Sequence, residues 1–240
     1  MKAARRLQTK RHRSREGLFL AEGEDLVYEA LAAGIRPVES FVAEERAPDT
    51  ALVDRLARGG PVHVVADGLM AELGTLGHPA RVIGVFRRED LPARDPVASL
   101  GVYLHRVIDP GNVGTIVRAA GALGPAFVAL SAGCSDPLSG KGVRASMGAV
   151  FRVPIETAPD GPPDGLPRVA LVADAGAPLW DLDLTGPVML LVGAERLGLP
   201  EELVESADHV ARIPQADGAD SLNAAAAATV ALYEAVRQRA

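Results

Sequence analysis

The sequence predicts an α/β protein of two domains, and three observations carry that reading. Short apolar runs alternate with amphipathic stretches along the chain. A segment rich in proline and charge, Arg87–Ser99, interrupts the alternation, which then restarts. Several later runs, such as Val188-Met-Leu-Leu-Val192, are apolar at every position, which suits strands buried on both faces of a parallel sheet.

Taken in order, Leu18–Ala21 reads as a strand that meets a turn at Gly23. A helix follows with acids in its first turn and Leu26, Val27, Ala30 and Leu31 on one stripe; Gly34 ends it. Strands are expected at Val38–Ala43, Val62–Val65 and Val82–Phe86, with a charged helix at about 49–58. These elements make a first domain over residues 1–90. The second, 98–240, has expected strands at Gly101–Val107, Ala126–Leu130, Arg168–Val172, Pro187–Val192 and His209–Ile213. Its helices are expected at Val113–Leu123, about 139–148, 200–206 and 220–238.

Composition narrows the function. Hydrophobic residues are 48% of the chain and aromatics only 4%, so Ala, Val and Leu must fill a sizeable core. The net charge of −6 argues against a uniformly basic nucleic-acid binder, but the charge is unevenly spread. Lys2, Arg5, Arg6, Lys10, Arg11, Arg13 and Arg15 all precede the first acid, Glu16. Such an arm reads either as a polyanion contact or as a solubilising tail. A single cysteine, Cys134, excludes an intrachain disulfide and a cysteine metal cluster, and the scattered histidines lack ligand spacing; no metal is assigned. His105, on an expected strand, reads as a satisfied core or edge histidine. Acids interrupt any signal-like segment, and no apolar run approaches the roughly 20 residues of a bilayer span. The expectation is a cytoplasmic protein with no membrane partner.

Three segments carry chemistry. In the first, Asp109-Pro-Gly-Asn-Val-Gly-Thr-Ile-Val-Arg118, Asn112 stands where a helix N-cap should be, with Arg118 about a turn and a half further on. Alone, it also fits an ordinary capped helix with a solvated arginine. In the second, Leu190-Leu-Val-Gly-Ala-Glu-Arg-Leu-Gly-Leu-Pro200, Glu195 follows a buried strand and Gly193 permits close approach to the backbone. In the third, Ile213-Pro-Gln is followed by Ser221-Leu-Asn223 at the start of an alanine-rich helix. There is no dinucleotide fingerprint and no Walker loop, which disfavours a nucleotide-dependent oxidoreductase.

In order, wording and spacing the three segments resemble the motifs of the SPOUT-class RNA 2′-O-ribose methyltransferases, SpoU branch. The stretch Asp136-Pro-Leu-Ser-Gly-Lys-Gly-Val-Arg-Ala-Ser-Met-Gly148 resembles a further family segment. The match covers residues 100–240. The first domain is similar, more loosely, to the family's small α/β substrate-binding domain, whose fold resembles small RNA-binding ribosomal proteins. The resemblance implies a deep trefoil knot in the second domain and pairing of two chains through it. It implies S-adenosylmethionine as cofactor, held by Leu130, Gly193, Ile213 and Leu222, and catalysis by Arg118, Asn112, Glu195, Ser221 and Asn223. RNA contacts would come from Arg5, Arg6, Lys10, Arg11, Arg13, Lys141 and Arg144. The expected substrate is a ribose 2′-hydroxyl, in ribosomal RNA ahead of transfer RNA; the rival from another class is a non-catalytic RNA-binding assembly factor. A guanidinium with a pKa above about 12 is a poor base, which favours charge stabilisation for Arg118, although acting as the base stays open.

Overall fold

The computed structural model describes residues 1–75, 78–216, 218 and 221–240. Asp217, Ala219 and Asp220, inside the third segment and at the expected start of the last helix, lie outside the described residues. The chain divides into two units. One holds Met1–Pro92 with Asp136–Arg152, and the other holds Ala93–Ser135 with Val153–Ala240.

The basic arm forms two short helices, α1 (Lys2–Arg6) and α2 (Lys10–Glu16). Then come β1 (Leu18–Glu22), α3 (Glu24–Ala32), β2 (Glu39–Ala43), α4 (Thr50–Ala57), β3 (Val62–Val65), α5 (Asp67–Leu73) and β4 (Val82–Arg87). The sheet order is β1-β4-β2-β3, with β4 antiparallel to both neighbours and β2 parallel to β3. Helices cover both faces, so β1, β2 and β4 are buried nearly throughout, while the edge strand β3 is largely exposed. Leu20, Phe41, Ile83 and Val85 pack with Met70 and Leu73 of α5 and with Ala4 and Leu7 of the arm. Val42 and Val82 pack with Val27, Leu52 and Leu56 of α3 and α4. The arm is therefore anchored by buried apolar residues and is no loose tail.

In the second unit β5 (Leu100–Leu104), α6 (Pro110–Leu123) and β6 (Phe127–Leu130) open the fold. The chain then supplies α7 (Gly140–Ala145) to the first unit. It resumes with β7 (Ile155–Thr157), β8 (Arg168–Leu171), β9 (Ala177–Pro178), β10 (Val188–Val192), α8 (Glu201–Glu205), β11 (His209–Arg212) and α9 (Ala224–Arg239). All seven strands are parallel, in the order β7-β6-β5-β10-β8-β11-β9. β5 and β10, both fully buried, pair at the middle with Leu104 beside Val192. α6 packs against α9 through small residues: Ala119 and Ala120 on one helix, and Ala224, Ala228, Ala231 and Ala235 on the other, are buried. Because every strand runs the same way, the loops that follow β5, β10 and β11 leave from one edge of the sheet.

Residues 136–152, read from sequence within the second domain, group with the first unit. Phe151 lies 5.8 Å from Phe19 and 5.0 Å from Phe86, ring centre to ring centre. Such pairs contribute about 0.5–1.5 kcal/mol beyond their buried area. Arg13, only 7% exposed at its side chain, closes on Asp136 at 2.7 Å, and Arg152 pairs with Glu29. Arg144 lies 3.6 Å from the buried Glu22 carboxylate, which also accepts hydrogen bonds from the Thr75 amide and hydroxyl. In the expected linker, Arg94 belongs to the second unit, stacked 4.3 Å above Phe127 and paired with Glu156 at 3.0 Å.

Candidate active site

Helix α6 starts three residues earlier than the sequence suggests. Pro110 takes the first helical position, and Asp109 is the cap, its carboxylate accepting from the Gly111 amide. Asn112 is therefore not the N-cap. Its side chain lies in the first turn, where the carboxamide is available for other partners.

Those partners are the other two segments. Asn112 donates through Nδ2 to Glu195 Oε1 at 2.8 Å. Its Oδ1 accepts from Asn223 Nδ2 at 3.1 Å. Asn223 caps α9, its Oδ1 accepting from the amides of Ala225 at 2.9 Å and Ala226 at 3.4 Å. One hydrogen-bonded chain thus runs from the β10 loop through the α6 terminus to the α9 terminus. Asn112 is a fitting middle link because a carboxamide both donates and accepts.

Beside this chain lies a cavity of about 350 Å³, lined by the ends of β8, β10 and β11 and by the start of α9. Gly193, Glu195, Ile213, Ser221 and Leu222 line it, all expected from sequence. Leu171, Asp174, Leu199, Gln215 and Ala227 line it as well and were not anticipated. Asp174 and Gln215 each lie shortly beyond the C-terminal end of a parallel strand, a position that could have marked them. Glycine at 193 is required by the loop itself. A Cβ there would stand 2.1 Å from the Gly198 carbonyl carbon and 2.3 Å from the Leu199 nitrogen. The close approach expected of a ligand is made instead by backbone. The loop is a tight hairpin, with Ala194 and Gly198 exchanging both amide–carbonyl bonds and Gly198 at φ 66°.

The other side of that hairpin borders a second, larger cavity of about 700 Å³. It takes in Asn112 and Glu195, the exposed apolar side chains of Ile108 and Leu197, and the His105–Arg106 pair. Arg106 is held at φ 53°, with its amide donating to Ser131 Oγ at 2.9 Å. Left-handed backbone at a non-glycine residue is uncommon and concentrates at working sites. His105 departs from its expectation: Nδ1 is buried and meets no donor or acceptor among the described residues. Burial, then the Arg106 charge, push the imidazole below its usual pKa, so the ring is neutral at neutral pH.

Other expected site residues stand apart. Leu130 is buried at the end of β6 and lines neither cavity; Arg118 is exposed on α6, lines neither, and has no ion-pair partner among the described residues. In the first unit, Arg13 is corrected from an RNA contact to a structural residue. It is buried, ion-paired to Asp136, and donates to the carbonyls of Leu7 and Gln8. Arg144 is half-buried on Glu22 and Thr75, and Arg5 pairs with Glu72. Arg6, Lys10, Arg11 and Lys141 are exposed. Cys134 is buried and donates to the Leu104 carbonyl. Among the described residues no cluster of His, Cys, Asp or Glu is placed to hold a metal ion, and no helix is long and apolar enough to cross a membrane.

Comparison with known proteins agrees with this architecture. Residues 99–233 match the sequence model of the SpoU rRNA Methylase family, and residues 1–84 match that of the MRM3-like substrate binding domain. The chain is 34% identical to the 23S rRNA (uridine(2479)-2′-O)-methyltransferase of Streptomyces viridochromogenes, over 88% of this chain and 83% of that protein. It is 28% identical to the 23S rRNA (guanosine(2553)-2′-O)-methyltransferase RlmP of Bacillus subtilis, over 95% and 92%. The crystal structure of an AdoMet-bound rRNA methyltransferase from Sinorhizobium meliloti superposes with a TM-score of 0.84 at 35% identity, covering 98% of this chain and 93% of that one. The fold is thus shared over 98% of this chain with that methyltransferase, and the protein belongs to the SpoU rRNA methylase family.

Proposed function

We propose that this chain transfers a methyl group from S-adenosylmethionine to a ribose 2′-hydroxyl of ribosomal RNA. The observation that carries the proposal is the Glu195–Asn112–Asn223 chain at the rim of the 350 Å³ cavity. The residues present fit the donor. The volume lies within the range of about 300–1,000 Å³ typical of small-molecule sites. Leu171, Val192, Ile213, Leu222 and Ala227 offer apolar surface for an adenosine, and the Glu195 and Asp174 carboxylates suit a cationic centre. When bound, the donor supplies an electrophilic methyl group on a sulfonium.

The chain's own residues supply geometry and charge. The Gly193–Leu199 hairpin is a rigid wall between the two cavities, so donor and ribose would meet across it in a fixed relation. Asn112 fixes the Glu195 carboxylate, and Asn223 fixes Asn112 from a helix terminus. Ser221, exposed at the rim, would hydrogen-bond the sugar. Arg118, exposed and without an ion-pair partner among the described residues, would hold a phosphate of the RNA and stabilise the 2′-oxygen as its charge develops. The larger cavity, with its apolar lining beside Asn112, is the natural place for the target nucleoside.

The same reading assigns the first unit to RNA binding, with a fold like the small ribosomal proteins, and Lys10, Arg11 and Lys141 to the phosphate backbone. It includes the trefoil knot, a cytoplasmic location and a homodimer formed through the second unit. Val230 and Tyr233, exposed on α9, are the apolar residues that a second copy would cover. The test is to map 2′-O-methyl groups on ribosomal RNA from cells lacking the protein and from cells carrying only Asn112→Ala. One methyl group should vanish from both. An unchanged methylation map would exclude the reaction.

A further inference from the structure

The first unit carries a cluster of positive charge that the sequence does not advertise. Arg36, Arg55 and Arg58 line one concavity of about 230 Å³, together with Leu31 and Gly34. Several arginines of this unit are neutralised: Arg5, Arg13, Arg46, Arg81 and Arg152 each close on a carboxylate. Arg36, Arg55 and Arg58 have no carboxylate partner among the described residues. Arg55 rests over the Tyr28 ring at 5.6 Å, and the tyrosine hydroxyl donates to Asp49, the cap of α4.

The convergence is built by the backbone. Gly34, at φ 78°, turns the chain after α3 towards Arg36. Gly59 follows Arg58, and a Cβ on it would stand 2.5 Å from the Pro37 carbonyl oxygen and 3.0 Å from the Arg36 Cβ. A Cβ on Gly60 would stand 2.1 Å from the Val38 carbonyl oxygen. Only glycines let the 58–60 loop lie this close to 36–38, and that closeness sets Arg36 beside Arg58. A helix C-terminus favours Arg55 and Arg58 by its dipole, but it does not explain Arg36, which comes from another loop. Three like charges drawn into one small hollow of a chain with net charge −6 indicate a polyanionic ligand.

We propose that this hollow is a binding site for the phosphodiester backbone of RNA, separate from the basic arm. Guanidinium forks match phosphate oxygens in pairs, and contacts of this kind set register rather than read sequence. The inference rests on the RNA reading of the previous section. Its test is filter binding of the full chain to an unmodified transcript of 23S ribosomal RNA across a salt series, with Arg36→Gln/Arg58→Gln beside wild type. Arg55 is kept because it packs on Tyr28. Thermal unfolding and calorimetry with S-adenosylmethionine should be unaltered, since both replaced residues are exposed and lie outside the donor cavity. The slope of log affinity against log salt should become shallower by about 1.5–2, with an affinity loss of about tenfold at low salt. Equal slope and affinity in the two proteins would overturn the site while leaving the RNA reading intact. A wild-type chain that binds no RNA would overturn that reading, and the site with it. If the variant differs only in calorimetric binding of inorganic phosphate, the hollow takes a small anion and the RNA assignment is overturned.

Discussion

The two units make their polar links from different chemistry. In the first, the links between distant segments are ionic: Arg13 with Asp136, Arg144 near Glu22, Arg152 with Glu29. In the second, the links at the strand ends are carboxamides around one carboxylate, Asn223 to Asn112 to Glu195. The Arg13–Asp136 link is buried, Arg144 reaches a buried carboxylate, and the exposed Arg152–Glu29 pair joins them in fastening segment 136–152 to the first unit. The carboxamides sit at the edge of two cavities, where they fix direction and still leave donors and acceptors facing solvent. Charge used for shape is unavailable to a ligand. That distinction, more than the count of basic residues, decides which arginines are free to meet RNA.

Four variants and one titration would break or sharpen this contrast, beginning with the largest effect. Gly193→Ala puts a methyl group into the Gly198–Leu199 backbone, so the hairpin cannot keep its path. Binding of S-adenosylmethionine should fall below detection by calorimetry, with the first unit's thermal transition unmoved. Asn112→Ala removes the middle link of the carboxamide chain; methyl transfer should drop by about 100-fold, the scale of a misplaced reacting group. Donor affinity should change little, because Asn112 does not line the donor cavity. Arg13→Ala leaves Asp136 without its cation. Loss of one partner from a buried pair costs about 3 kcal/mol, visible as a lower denaturation midpoint, while the salt slope of RNA binding stays as in wild type. Arg6→Gln with Arg11→Gln should do the reverse, with unfolding unaltered and a slope shallower by about 1.5–2. If Arg13→Ala flattened the slope as the surface pair does, the division between structural and RNA-facing arginines would be wrong.

The smallest effect is acid-dependent. Hydrogen bonds from Arg237 and then Gln238 hold the Glu234 carboxylate at a pKa of about 2, below its usual 4.5. A carboxylate whose pKa is lower folded than unfolded contributes stability above its unfolded value. That contribution is lost as pH falls from about 4.5 towards 2. Wild type should therefore melt above Glu234→Gln at pH 7, and the gap should close by pH 2. A gap independent of pH would assign the difference to packing of α9.

Much of the fold was legible because burial writes itself into composition. Val188–Val192, apolar at every position, suits a strand buried on both faces, and it is the central strand β10. The short elements were not legible. α1 and α5 depend on a few tertiary contacts, Ala4, Leu7, Met70 and Leu73, and α2 on the buried Arg13, none of which local periodicity encodes. Nor does any pattern in 136–152 say which of two cores Phe151 will join. At the site, the resemblance of the three segments to the family motifs points to Asn112, Glu195 and Asn223, but the cap lies three residues before Asn112 because Pro110 takes the first helical position. The fates of Arg13 and Arg36 were unreadable for one reason: whether a charge is neutralised depends on partners, such as Asp136, far away in sequence.

The central claim is that the cavity walled by Gly193, Ile213 and Leu222 holds the methyl donor. Isothermal titration of the full chain with S-adenosylmethionine tests it most directly, with Gly193→Ala as the control. The account predicts saturable binding to one site per chain in wild type and none in the variant. No heat of binding in wild type, or equal binding by both, would contradict it.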